Sequence, residues 1–179
     1  MLYLCIPMGT MDSYKVDLRG MTSDVVSHHW VLADDFFSAV QGLDIVNGHV
    51  DATLRVTRKS EGFDLDFRFE GTVQVECIRC SELMDWPIHA HCNVAARLGD
   101  EDDDDGEVLT VAEYPGVADL SWQMYSLLAL EIPIRHAHPD GECNPQVMAM
   151  LSTVPDDNRP ADPRWAALQQ LKTKSNNQE

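Results

Sequence analysis

Between Val50 and Cys77 the chain reads VDATLRVTRKSEGFDLDFRFEGTVQVEC, and this stretch decides the fold. Val50, Ala52, Leu54 and Val56 alternate with Asp51, Thr53, Arg55 and Thr57. A side-chain period of two puts the apolar set on one face of a β-strand and the polar set on the other. Lys59-Ser60-Glu61-Gly62 reads as a turn, and Phe63, Leu65, Phe67 and Phe69 then alternate against Asp64, Asp66, Arg68 and Glu70. Glu70-Gly71 reads as a second turn, after which Val73, Val75 and Cys77 continue the pattern. Strands with one apolar and one water-compatible face predict an antiparallel meander.

Working outward, a fourth strand carries Trp86, Ile88, Ala90, Cys92, Val94, Ala96 and Leu98 on one face, with His89 and His91 on the exposed other. Cys92 is in phase with Ala90 and Val94, so it reads as a small buried hydrophobe. Tyr14 to Leu18 alternates like a short strand, and Glu107 to Ala112 reads as another. Leu32 to Val40 predicts a short helix with Asp34 and Asp35 in its first turn, where the helix dipole favours acids. Asp119 to Glu131 is the main helix: Asp119 can cap it, Leu120, Met124, Leu127 and Leu128 form a stripe, and Pro133 stops it. That stripe reads as the cover of the sheet's apolar face. The expected fold is α+β, an antiparallel meander covered by one main helix. Residues 1–11 read as a poorly ordered extension, 12–153 as the α+β domain, and 154–179 as a Pro-rich linker, short helix and tail. In that last helix Trp165, Leu168 and Leu171 make a stripe that predicts docking.

The 179 residues carry 30 Asp+Glu against 13 Lys+Arg, a formal charge of −17, while 44% of them are apolar. Such a chain can build a core, and its acidity belongs on the surface. Phosphate backbones are gripped by Lys and Arg, so the average surface here would repel nucleic acid. Six acids in succession, Asp100 to Asp105, read as a solvated loop rather than a cation cage. No run of 18 apolar residues predicts a membrane span. The opening segment lacks the basic region of a signal peptide, and Met8 and Met11 are alternative starts. Five cysteines, two of them in a C-x-x-C, fit a reducing, cytoplasmic setting.

The chemistry concentrates at Cys77-Ile78-Arg79-Cys80. A C-x-x-C turns two thiolates toward a common point, as half of a tetrahedral zinc site requires. The second half is sought in His136-Ala137-His138-Pro139-Asp140-Gly141-Glu142-Cys143, a loop after the main helix. Candidate ligands are Cys77, Cys80, Cys143 and either His136 or His138. A dithiol redox pair is a competing reading, disfavoured because no helix N-terminus lowers the thiol pKa. Structural cysteines without metal are a third. Four protein ligands would close the metal to water, so zinc here is structural. Neither a phosphate-binding glycine loop, a G-x-S-x-G elbow nor H-E-x-x-H occurs, and the chain reads as non-catalytic, with no small-molecule substrate.

The strand Gly71 to Glu76 running into Cys77-Ile78-Arg79-Cys80, the acidic loop, the helix ending Leu127-Leu128-Ala129-Leu130-Glu131-Ile132-Pro133, and His138-x-x-x-x-Cys143 come in a fixed order. In this the chain resembles the YceD family, the large ribosomal RNA subunit accumulation proteins, from about Asp12 to Lys172. Asp162-Pro163-Arg164-Trp165 resembles the family's C-terminal helix, with Asp162 in place of the usual Asn. The resemblance selects His138 over His136 as fourth ligand. It also implies a role in accumulation of large-subunit ribosomal RNA and ribosome assembly in bacteria. Joined to the charge, it leads to the expectation of a basic ribosomal protein or assembly factor as partner, with RNA contact indirect or weak. The alternative is a direct RNA-binding zinc module, for which Lys15, Arg19, Arg55, Arg58, Lys59 and Arg68 are the available cations.

Overall fold

The computed structural model describes residues 12–99 and 108–152. Its strands are β1 (Lys15–Asp17), β2 (Val25–Leu32), β3 (Asn47–Lys59), β4 (Gly62–Glu76), β5 (Leu83–Leu98), β6 (Val108–Val111) and β7 (Val117–Asp119). The helices are α1 (Asp34–Val40), α2 (Ser121–Glu131) and α3 (Pro145–Ser152). Strands β2-β3-β4-β5-β6 form one sheet in that order, and β1 pairs with β7 in a separate ribbon. The fold is α+β, as expected, and β2 to β5 are successive antiparallel neighbours.

The alternation read from the sequence is the alternation observed. Val50, Ala52, Leu54, Val56, Leu65, Phe67 and Phe69 are wholly buried. Across the register Phe69 lies between Ala52 and Ala90, so two small side chains make room for a large one. Phe67 and Phe69 stack with ring centroids 5.9 Å apart. Each fully buried Phe stabilises the fold by about 1.5–3 kcal/mol relative to exposure.

Two expectations are corrected, and one strand is added. Glu70-Gly71 is no turn: β4 runs unbroken through it, with Glu70 paired to Asp51 and His89, and Gly71 to Val50 and Ile88. Glycine is needed there because a Cβ would lie 2.2 Å from the His49 carbonyl oxygen. The unbroken odd-numbered phase from Phe63 to Val75 is the sequence sign of this continuity. Second, the sheet is mixed, because β6 runs parallel to β5, with Ala95 paired to Val108. The acidic run therefore falls in the connection between two parallel strands. The added strand, β2, escapes the sequence pattern. It is an edge strand whose solvent face carries Val25 and Val31, both exposed, and this blurs the alternation.

Helices α1 and α2 share the cover, the first burying Phe36 and Phe37, the second Met124, Tyr125 and Leu128. Asp119 belongs to β7 and lies one residue before the helix cap, where its carboxylate accepts the Ser121 N–H at 3.0 Å. The chain divides into two compact units, Met1–Cys143 and Asn144–Glu179. In the second, Asn144 caps α3 by accepting the Gln146 N–H at 2.8 Å, an Asn-Pro helix start the sequence reading passed over. The expected helix at 164–171, the extension at 1–11 and the acidic run lie outside the described residues. No described helix is long and apolar enough to cross a membrane.

Candidate metal centre

Where β4 ends, the chain folds into a tight knuckle. Cys77 donates its N–H to the Glu82 carbonyl (2.9 Å), and the Ser81 N–H returns to the Cys77 carbonyl (2.8 Å). Ser81 takes a left-handed conformation, φ 58°, which closes the turn. Facing the knuckle is the loop after α2. The Ile78 N–H donates to the His136 carbonyl at 3.1 Å, and Arg79 pairs with Asp140 at 3.1 Å.

These contacts bring Cys77, Cys80, His138 and Cys143 together, their ligand atoms all within 4.8 Å of one another. Cys77 and Cys143 sulfurs are 3.9 Å apart, and Cys80 Sγ is 3.4 Å from His138 Nδ1. Tetrahedral zinc with bonds of about 2.3 Å to sulfur and 2.0–2.1 Å to nitrogen has edges of about 3.8 and 3.5 Å. The two edges match. All three cysteines are buried, and His138 is half-buried. His136 is turned elsewhere, its Nδ1 2.8 Å from the Pro133 carbonyl oxygen.

The electrostatics favour negative charge on sulfur. Burial pushes the Cys77 thiol up, but N–H donors from His138, Arg79 and Cys80 outweigh it and bring it down to about 5. The His138 and Arg79 N–H groups lie 3.4 Å from its sulfur. Hydrogen bonding to Cys77 in turn raises the His138 imidazole. Burial, then the neighbouring Cys77 and Cys80 sulfurs, push Cys143 up to about 11. One thiolate is welcome in this corner and a second is resisted, the condition a divalent cation relieves. A Cys3His cluster of this geometry can hold a metal ion.

The other cysteines and histidines fall near their expected places. Cys92 is partly buried against the core, and none of Cys77, Cys80, Cys92 and Cys143 is in a disulfide. His89 and His91 are exposed, the latter 2.8 Å from Asp66. Cys5 lies outside the described residues. The sequence reading did not anticipate the Ile78 bond to the His136 carbonyl or the Arg79–Asp140 ion pair that lock the two loops together, for pairings between distant segments leave no local sequence signature.

The family model described as "Large ribosomal RNA subunit accumulation protein YceD" matches residues 65–172, more than half of the chain. The chain belongs to the YceD family. Comparison with curated proteins and with solved structures finds no match. The match begins at Leu65, inside β4, rather than near Asp12, and it contains all four cluster residues of this YceD family member.

Proposed function

We propose that this chain is a non-catalytic factor supporting accumulation of large-subunit ribosomal RNA, acting by contact with a basic ribosomal protein or assembly factor. The family match carries the reading, since its description names that process. The net charge of −17 supports a basic protein over RNA as the direct partner. The available cations support the same choice. Lys15 pairs with Asp12, Lys59 with Asp64 and Arg68 with Asp66, so several are answered within the fold. A pull-down of the tagged chain from nuclease-treated lysate tests this. Basic proteins recovered at low salt and lost as salt rises are the expected outcome, and RNA recovered without any basic protein overturns it.

Zinc is the metal we assign to Cys77, Cys80, His138 and Cys143, because three soft thiolates and an imidazole in a tetrahedron suit it. When bound it ties the end of β4 to the loop after α2 without an open position for substrate. Paired reduced thiols of this kind fit a cytoplasmic location. Elemental analysis of the purified chain should return one zinc per chain; a metal-free protein with a chelator-insensitive melt would retire the assignment.

Direct RNA binding has one observation in its favour. Arg19, Arg58 and Lys59 meet around a hollow of about 440 Å³ beside Phe63, and Arg19 lies over the Tyr114 ring. Cations interleaved with aromatics suit single-stranded RNA. Filter binding over a salt series separates the readings, because only phosphate contact makes RNA affinity fall steeply with salt.

A further inference from the structure

Leu43, Trp122, Leu130 and Ile134 are exposed by 98, 62, 80 and 94%, and all four line one open groove of about 880 Å³ beside α2. Single exposed apolar residues are ordinary on a protein surface, but four converging on one hollow mark an interaction site. The groove is firmly built. Tyr125 is buried beneath it, and its hydroxyl accepts the N–H groups of Asp44 (2.9 Å) and Ile45 (3.2 Å), pinning that loop against α2. The loop can come so close because residue 42 is glycine, where a Cβ would lie 1.8 Å from the Tyr125 ring. Trp122 stacks on Tyr125 with centroids 5.6 Å apart. The opposite wall, around Ile134, is tied to the cysteine knuckle by the Ile78 to His136 hydrogen bond.

Charge selects the occupant. Asp44 and Glu76 line the groove, and no described Lys or Arg does. An RNA or an anionic membrane would find two carboxylates and, of basic side chains, only the His136 imidazole, and a neutral apolar segment would leave both carboxylates unanswered. We propose that the groove docks a segment of a basic protein partner in which apolar side chains are flanked by Lys or Arg. Pre-formed apolar pockets give such a segment its anchors, and the rim carboxylates with the −17 field set its sign. This proposal rests on the protein-contact reading above and gives it a surface.

The test uses the full-length, zinc-loaded chain and a labelled Leu/Lys peptide with leucines at helical i, i+3, i+4, i+7 spacing, read by fluorescence anisotropy. Leu130→Asp combined with Ile134→Asp should weaken binding at least about tenfold, some 1.4 kcal/mol. The added negative charge would otherwise strengthen attraction to lysines, so a loss reports the groove. Both side chains are exposed, and an unchanged melting temperature verifies folding; Leu43→Asp serves as the second variant. Unchanged binding in the variants overturns the groove and leaves the basic-partner reading standing. A Leu/Glu peptide binding as tightly as the Leu/Lys peptide overturns both, while no binding of the Leu/Lys peptide to wild type overturns the groove alone, the pull-down deciding the broader reading. A photoreactive phenylalanine analogue at position 43 should crosslink to the Leu/Lys peptide. A crosslink to a second copy, or to the chain's own residues 159–174, would overturn the proposal.

Discussion

At Phe67 the chain is held by apolar neighbours, with Leu54 and Cys92 beside it in the register and Phe69 stacked against it. Ten residues on, at Cys77, burial is equally complete, yet three N–H donors and two neighbouring sulfurs surround the side chain. The first environment is self-sufficient, since apolar contacts need nothing from outside the chain. The second gathers thiols that resist ionising together, in a cluster that can hold a cation. One molecule thus contains a sheet packed on apolar contacts and a corner joined by hydrogen bonds around a cluster that can hold a metal ion.

Removing the metal should break that comparison most visibly. In a chelated sample, hydrogen-exchange protection at residues 77–81 should drop by three orders of magnitude or more, about 4 kcal/mol. Amides of β3 and the middle of β4 should keep theirs. Equal loss in both regions would show that sheet and corner are one cooperative unit.

Phe67→Ala attacks the other side. It should lower stability by about 3–5 kcal/mol in urea titrations, by the same amount with and without chelator. A chelator-dependent cost would mean that the corner and the core share energy.

Within the corner, His138→Ala should weaken zinc binding about 10²-fold, or 2.7 kcal/mol, in competition with a chromophoric chelator. His136→Ala should change it less than threefold, since its ring faces Pro133. The reverse result would move the fourth ligand to His136. A further effect is graded by pH. Cys143, pushed up to about 11, must release its proton to bind metal, whereas Cys77, brought down to about 5, is already ionised at neutrality. Protons compete with metal at Cys143, so zinc affinity should fall as pH falls, by at least about tenfold per unit between pH 6 and 8. A flat profile would mean that every ligand is ionised beforehand.

The sheet was legible because alternation is local. Val50 to Val56 and Phe63 to Phe69 declare their inward face whatever lies beyond them. The error at Glu70-Gly71 came from treating glycine as a turn when its use was a close approach to His49, a contact between strands. β2 was missed for a related reason, since an edge strand facing water on one side places fewer demands on its residues. The ligand types were legible too, but the choice of His138 came from family resemblance, and geometry supports it through distances no spacing rule supplies.

Taken alone, the sequence determined what each residue could do: which strands have an apolar face, which side chains can bind metal, and the sign of the molecule's field. Only the tertiary structure decided what they do together. Cys77 and Cys143 lie 66 positions apart and meet at 3.9 Å. Leu43 and Ile134, far apart in the chain, both stand open on one groove. The physical reason is that periodicity and residue chemistry are properties of neighbours in the chain. Which apolar residues stay exposed, and which sulfurs converge, depends on how separate segments pack, and chain-local patterns carry no record of that.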